Sequence, residues 1–424
     1  MKRKILLWTA GVLILIAVGI WLQYRIRTNR DEADLQEQLR LARAEGIPTN
    51  AAEFAATIQP AAPSENAAPL YRRLKPLLKP LGDFPAAQTA LLLRPSARTL
   101  VTARDLVRQA KVPLGIIDEA AGLPRCWFDR DWADGPAVLF PEYADMKSAA
   151  KLLALRGSVA AAEGEVTHAI EDAHEIFVIS RHAGEEGTVL SALMAETIHA
   201  TGMRALGAWC IIHSSTFPYR EALARAVKER PPPDLRRESR DELWTVLTVV
   251  DWSLTHTGRD KLGLKQDDLP SPLNPFEIFL SQPRARITIV KAERDASAAL
   301  KLPHAKMTNA RSEAQMRRDE ALMAFPVAAS VYTGLGMDTD WVERREPDWH
   351  ARQLECTALV RALPGGGVAR SIKTSDLRSP YDGKPLTYVF DGKQIRITID
   401  GSDPASPMHL TIPPDELKRQ ASKP

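Results

Sequence analysis

Two Glu-x-x-His patterns lie close together in this 424-residue chain, Glu171 with His174 and Glu196 with His199. A glutamate and a histidine three residues apart share a helix face, and two such helices facing each other can hold a pair of iron or manganese ions. The phasing opposes that chemistry. At 100° per residue, Glu171 lies about 160° and His174 about 100° from the centre of their helix's apolar stripe. Glu196 and His199 lie about 140° and 160° from theirs, so all four are expected on solvated faces, with no resident metal or other cofactor.

Nucleophilic chemistry has one candidate. Ser148 and Lys151 match the Ser-x-x-Lys pattern of penicillin-recognising enzymes, in which lysine activates an acylating serine, but no Lys-Thr-Gly companion occurs anywhere in the chain. P-loop, Gly-x-Ser-x-Gly and His-Glu-x-x-His patterns are also missing from the sequence, which removes the strongest signatures of nucleotide, esterase and zinc-protease chemistry. Cys126, Cys210 and Cys356 lack Cys-x-x-Cys spacing and read as isolated buried thiols. Between Pro124 and Tyr143 runs an aromatic connector with Trp127, Phe128, Trp132, Phe140 and Tyr143. Its rings are expected to fill the seam between helical layers, and an exposed stacking surface is the alternative.

The elements that position these residues are mostly helical. Ala144 to Ala162, Glu165 to Arg181 and Glu186 to His213 predict three successive helices joined at Gly164 and Gly184, and such short joints imply antiparallel neighbours. The second helix buries Val166, Ala169, Ala173, Ile176 and Phe177; the third buries Leu190, Met194, Ile198, Thr201, Ala205 and Ile212. Small residues in both stripes permit close packing, as in tetratricopeptide-like hairpins, although no second copy follows at a 34-residue period. Further helices are predicted over Asp234 to Thr255, Arg284 to Leu300, Ala310 to Tyr332 with a kink at Pro326, and Trp349 to Leu363. Past Gly365 the period changes to two. Leu386 to Phe390, Gln394 to Ile399 and Met408 to Ile412 predict an antiparallel meander, with Asp-Gly pairs at 382, 391 and 400 suited to tight turns and calcium as the sharper alternative.

The N-terminus carries the strongest localisation signal. After Met1-Lys2-Arg3-Lys4, the run Ile5 to Leu22 contains no charged side chain, and its 18 residues rise about 27 Å as a helix, close to a bilayer core. Trp8, Trp21 and Tyr24 suit the headgroup boundary. A single-pass anchor is expected, with the lipid bilayer as partner through residues 5–22 and the C-terminal domain outside the cytoplasm; a cleaved leader ending near Ala17-Val18-Gly19 is the competitor. The following Asp31 to Glu45 predicts a helical stalk with Leu35, Leu39 and Ala42 on one stripe, ended by Gly46-Ile47-Pro48. Lys and Arg total 56 against 53 Asp and Glu, and this interleaved balance of +3 gives no reason to invoke nucleic acid.

Four stretches carry a resemblance: GIPTNAAEF from Gly46, SENAAPLY from Ser64, the run from Arg125 through the third helix, and SPYDGKPLTYVFDGK from Ser379. The chain resembles a loose group of uncharacterised bacterial membrane-anchored proteins with a tetratricopeptide-like helical body. That resemblance implies an N-terminal anchor, a helical body and a small β tail, and brings no catalytic residue. The expected fold is mainly α, with an N-terminal transmembrane helix, a repeat-like body of antiparallel helical hairpins, and a small C-terminal antiparallel β meander. Its expected parts are a basic tail over 1–4, the anchor over 5–22, a stalk and linker over 23–60, a helical domain over 61–365 and a β-rich segment over 366–424. The expected function is an extracytoplasmic helical scaffold or protein-interaction module with a protein partner. The alternative is an extracytoplasmic hydrolase or cell-wall enzyme whose site is assembled from scattered residues.

Overall fold

The computed structural model describes residues 2–81, 97–212, 217–229, 243–262, 275–302, 304–325, 328–329, 340–363, 372–374, 376–380, 383–390, 394–398 and 409–411. Its contacts divide the chain into two compact units, each assembled from separate stretches. Unit 1 takes residues 1–55, 132–138 and 240–339; unit 2 takes 56–131, 139–239 and 340–424.

Unit 1 begins with one long helix, α1, Lys2–Ala44. Its last turns carry the expected stripe, and Leu35, Leu39 and Ala42 pack into a core. The Gly46 φ of 78° ends the helix, while the Ile47 N–H donates to Ala42 O and the Gly46 N–H to Arg43 O, both at 2.9 Å. This pair of bonds satisfies two terminal carbonyls and needs a left-handed residue, which glycine supplies without strain. Ile47 then tucks into the same core. The short helix α2, Ala51–Thr57, follows. Asn50 Oδ1 accepts the Glu53 N–H at 2.9 Å and Glu53 Oε2 accepts the Thr49 N–H at 2.8 Å, a reciprocal cap. The stretch GIPTNAAEF is therefore a helix stop, a helix start and one anchor ring. That ring, Phe54, stacks on Trp244 at 4.8 Å and meets the edge of Trp132 at 4.9 Å.

Two expectations are corrected at α1. The apolar run and the stalk are not separate elements but one continuous 43-residue helix, charged from Arg25 onward and docked at its far end into a protein core. Among the described residues no helix is long and apolar enough to cross a membrane. The side chains of residues 2–14, Ile16, Ala17 and Ile20 lie outside those described.

Helices of unit 2 interrupt unit 1, whose core is completed by later helices. Among unit 2 elements, α3 is Ala68–Arg72, α4 Lys75–Leu78, α5 Ala97–Gln109, α6 Lys111–Ala121, α7 Glu142–Glu163, α8 Val166–Gly184, α9 Val189–Ile212 and α10 Phe217–Glu229. Unit 1 resumes with α11, Leu243–Ser253, α12, His256–Lys261, α13, Pro275–Ala299, and α14, His304–Leu322. The last helix of unit 2 is α15, Asp340–Ala362.

In unit 1, α13 lies against α1 and α14, with Ile289, Val290, Leu322 and Phe325 fully buried. Arg294 on α13 reaches back to Gln38 and Glu45 on and beside α1. Pro283 and Pro347 sit inside α13 and α15, so these helices start upstream of the expected Arg284 and Trp349. A proline removes one backbone bond and was placed as a boundary, yet packing along a long helix outweighs that loss. The expected helix from Ala310 falls within α14, which ends at Leu322; Ala328 and Ala329 are again helical, while the predicted kink at Pro326 and residues 330–332 lie outside the described residues.

Unit 2 is organised by α7, α8 and α9, which pack on one another. Gly164, with φ 84°, ends α7 by the same double bond as Gly46: the Glu165 N–H donates to Ala160 O and the Gly164 N–H to Ala161 O. The α8 stripe of Ala169, Ala173, Ile176 and Phe177 is buried as its phasing predicts. For α9 the phasing is wrong. Leu190 is exposed, whereas Glu196 and His199 are only 2% and 3% exposed. The helix carries just two charged side chains, Glu196 and Arg204, in 24 residues, so it has no polar face and is covered on nearly every side.

Close approach of α7 and α9 depends on Gly157. A Cβ there would lie 2.5 and 2.8 Å from carbons of the Trp209 ring. That ring is fixed, since its Nε1–H donates to Ser158 Oγ at 3.1 Å and its side chain is buried. Gly157→Ala is expected to destabilise the protein by about 1–3 kcal/mol through overpacking, despite the gain in helix propensity. Chemical denaturation distinguishes the two effects, because propensity alone would raise the midpoint.

The expected β-rich segment is also corrected. Strands β1, Thr387–Phe390, β2, Gln394–Thr398, and β3, His409–Thr411, pair antiparallel in that order, but they span only four, five and three residues. This fringe gives the core little beyond Leu386 and Ile397, and helices carry the fold. Most of the Asp-Gly pairs lie outside the described residues; Gly383, which is described, has φ 71° and donates its N–H to Ser379 O.

Candidate functional site

Three of the singled-out sequence stretches meet inside unit 2. Asn66, from SENAAPLY, grips the connector: its Nδ2 donates to Trp127 O at 2.9 Å while its Oδ1 accepts from the N–H groups of Trp127 and Ala68. Beside it, the Ala67 N–H donates to Arg125 O and the Arg125 N–H to Glu65 O. Two stretches of irregular chain are thereby paired without a sheet, and these bonds satisfy backbone groups that lack a helix or strand partner.

The C-terminal turn of α8 holds the other side of the connector. Glu185 Oε2 accepts from Arg125 Nε at 2.9 Å and from the Cys126 N–H at 3.0 Å. His182 is fully buried, and its Nε2 lies 3.0 Å from Leu123 O. A carbonyl only accepts, so Nε2 carries the proton and Nδ1 accepts from Tyr71 Oη at 2.9 Å. Burial, with the charge of Arg181 adding to it, pushes the His182 pKa down to about 3, so the ring stays neutral. Burial likewise pushes the Tyr71 hydroxyl and the Cys126 thiol well up, the latter helped by the Glu185 charge. None of these three is a reactive base or nucleophile at neutral pH.

At the centre stands Arg130, whose side chain is 6% exposed. Its Nη1 donates to Leu139 O at 2.7 Å, closing the connector into a loop around the guanidinium. Nη2 donates to Glu142 Oε2 at 3.1 Å and to Glu186 Oε2 at 3.0 Å, while Nε donates to Glu186 Oε1. The rings of Phe140 and Phe128 cover its faces, with centroids 4.6 and 4.8 Å from Cζ. Tyr143 Oη donates to Glu186, and Arg72 Nε donates to Glu142 Oε1 at 3.1 Å. Burial pushes the Glu186 carboxyl up, and Arg130 and Tyr143 offset this only in part. Burial acts on Glu142 in the same direction but is outweighed by its hydrogen bonds, with the Arg130 charge adding, leaving that carboxyl below its usual value.

Every carboxylate oxygen of Glu142 and Glu186 is thus engaged by a donor. Such an arrangement fixes the path of the connector rather than presenting a base to a substrate. Arg130, Glu142 and Glu186 were not singled out by sequence reasoning. The available signal was two arginines, Arg125 and Arg130, embedded in an aromatic run, since planar guanidinium groups stack on rings and pair with carboxylates.

The sequence-predicted candidates are not brought together. Glu171 and His174 are exposed on α8. Glu196 on α9 accepts from Arg352 Nη1 of α15 at 3.0 Å, and the His199 ring packs against Phe177 with centroids 5.1 Å apart. No group of three or more His, Cys, Asp and Glu residues able to hold a metal ion occurs among the described residues. Ser148 Oγ donates to Ala144 O of its own helix. The three cysteines are free and buried. Comparisons of the chain with family models, with curated proteins and with solved structures return no match.

Proposed function

We propose that this chain is a helical scaffold or protein-interaction module, with the connector edge of unit 2 as its recognition surface. The observation that carries this reading is the reciprocated network around Arg130: buried charge is used to hold an irregular backbone segment in one shape. A preformed loop lowers the ordering cost of binding, which favours recognition of a partner over chemistry. Leu139, 78% exposed beside the half-buried Phe140, gives that edge an apolar contact point. Small residues along α7, α8 and α9 support the same reading by keeping the platform tightly packed.

The test is cross-linking of the tagged full-length chain followed by mass spectrometry, compared with Leu139→Asp. A recurrent protein cross-linked through residues 125–131 or 139–143 in the parent chain, and reduced at least tenfold in an equally stable Leu139→Asp variant, is the expected result. Equal capture by both forms, or recovery of small molecules with no recurrent protein, overturns it.

A further inference from the structure

A second charge cluster lies where α6, α7 and α8 meet, buried at Asp172 and partly exposed at Arg156, Asp118 and Glu175. Arg156 on α7 donates to three carboxylates at once: from Nε to Asp172 Oδ1 at 2.7 Å, from Nη1 to Asp118 Oδ2 at 3.0 Å and from Nη2 to Glu175 Oε2 at 3.0 Å. Asp118 belongs to α6, and Asp172 and Glu175 to α8. With all groups ionised, one positive charge faces three negative ones, and Asp172 is only 2% exposed. Two buried oxygens, Asp118 Oδ1 and Asp172 Oδ2, have no hydrogen-bond partner. Arg156 Nη2 does lie 2.8 Å from Asp118 Oδ1, a charge contact that leaves this acceptor without a donor hydrogen.

A proton on Glu175 answers the charge excess and one of the two orphaned oxygens. It lowers the excess charge by one, and it converts Glu175 into a donor within hydrogen-bonding reach of Asp118. The charged groups facing Glu175 are Asp118 from α6, Arg156 from α7 and Asp172 from α8 itself, with His168 earlier on α8 acting on Asp172. On the α9 side the neighbour is the Trp209 ring, which lies against Gly157 beside Asp172.

The position of α6 gives the proton a structural consequence. Two residues beyond the end of α6 lies Leu123, whose carbonyl receives His182, followed by Pro124 and Arg125, whose carbonyls receive Arg181 and the Ala67 N–H. We propose that the Arg156 cluster is a proton-operated clasp: one proton shared by Glu175 and Asp118 holds α6 on the α7–α8 hairpin, and its loss loosens α6 and the Leu123–Arg125 segment that follows. This device stands independently of whether the connector edge binds a partner.

Burial pushes Glu175 up to about 8, with the Asp118 charge adding and Arg156 opposing, and burial pushes Asp172 up to about 6 against the pull of Arg156. Both folded values lie above the ordinary carboxylate range, so the closed state binds more protons than the open one. Closure is therefore complete at low pH and is lost as pH rises towards the upper folded value.

Amide hydrogen exchange of the full-length protein, corrected for intrinsic rates, reads this opening directly along α6. The opening constant is expected to rise about tenfold per pH unit between about pH 6 and 8 and then to level off, as loss of one extra proton requires. Glu175→Gln keeps a donor to Asp118 without a titrating proton, and is expected to make the opening constant independent of pH over that range. Asp118→Asn removes the like charge and is expected to flatten it as well. A flat profile in the parent protein, or an unchanged slope in both variants, overturns the clasp.

Discussion

Replacing Arg130 with leucine is expected to destabilise unit 2 by about 3–5 kcal/mol, the cost of removing one partner from a buried ion pair. Glu186 and Glu142 are 1% and 6% exposed, and without the guanidinium Glu186 keeps the Tyr143 hydroxyl. Glu142 retains Arg72, whose side chain is half exposed and whose pairing is correspondingly screened. Stacking on Phe128 and Phe140 is lost in the same step. Arg130→Lys keeps the charge but neither the fork nor the flat face, and is expected to fall between the parent and the leucine variant. Urea denaturation, with amide exchange along α8 as the local readout, measures both. Pairing Arg130→Leu with Glu186→Leu is expected to recover part of the loss, because the dominant cost is an unpaired buried charge rather than the absence of a favourable bond. A loss below about 1 kcal/mol for Arg130→Leu would be a surface-pair value and would remove the network from its structural role.

The second large effect belongs to unit 1. Phe54→Ala is expected to cost about 3–5 kcal/mol, the range for emptying a buried aromatic site. Its ring is almost completely buried and holds two tryptophans in place, Trp244 by stacking and Trp132 by an edge contact. Truncation leaves a cavity that two large indoles cannot close without moving α11 or the Trp132–Ala137 turn. The turn has little freedom to move: Gly135 has φ 49°, and a Cβ there would lie 2.7 Å from Thr248 Cγ2. Amide exchange along α11 and a shift in tryptophan emission check this result, and unchanged protection of α11 would contradict it.

Helix phasing in the sequence found α8 because that helix has a genuine solvent side, with Glu171 and His174 outside and Ala173, Ile176 and Phe177 inside. It failed for α9 because a helix covered on nearly all sides has no stripe to phase. There the choice of Leu190 and Met194 over Ala192 and Ala195 reversed the inside and outside of Glu196. The starts of α13 and α15 lie upstream of the expected Arg284 and Trp349 for a different reason, since local propensity cannot weigh the long-range packing that tolerates a proline inside each helix. The network around Arg130 joins residues 72, 130, 142 and 186, and the clasp joins 118, 156, 172 and 175. Such sets have no fixed spacing, so only the fold assembles them. What the sequence did show was the local punctuation of Gly46 and Gly164 as helix stops; the cap of Asn50 and Glu53 emerged only in the structure.

The divided construction of unit 1 has a consequence for synthesis on the ribosome. Glu45 and its partner Arg294 are 249 residues apart, and Leu35, Ala42 and Ile47 share their core with residues as distant as Phe325. At elongation rates of about 5–20 residues per second, the nascent chain shows that apolar stripe for about 12–50 s before its covering helix has been made. Unit 2, whose central hairpins are contiguous from Glu142 to Ile212, meets no such delay in forming them. The order of emergence therefore lets the α7–α9 hairpins form before the late helices that cover the α1 stripe have been made.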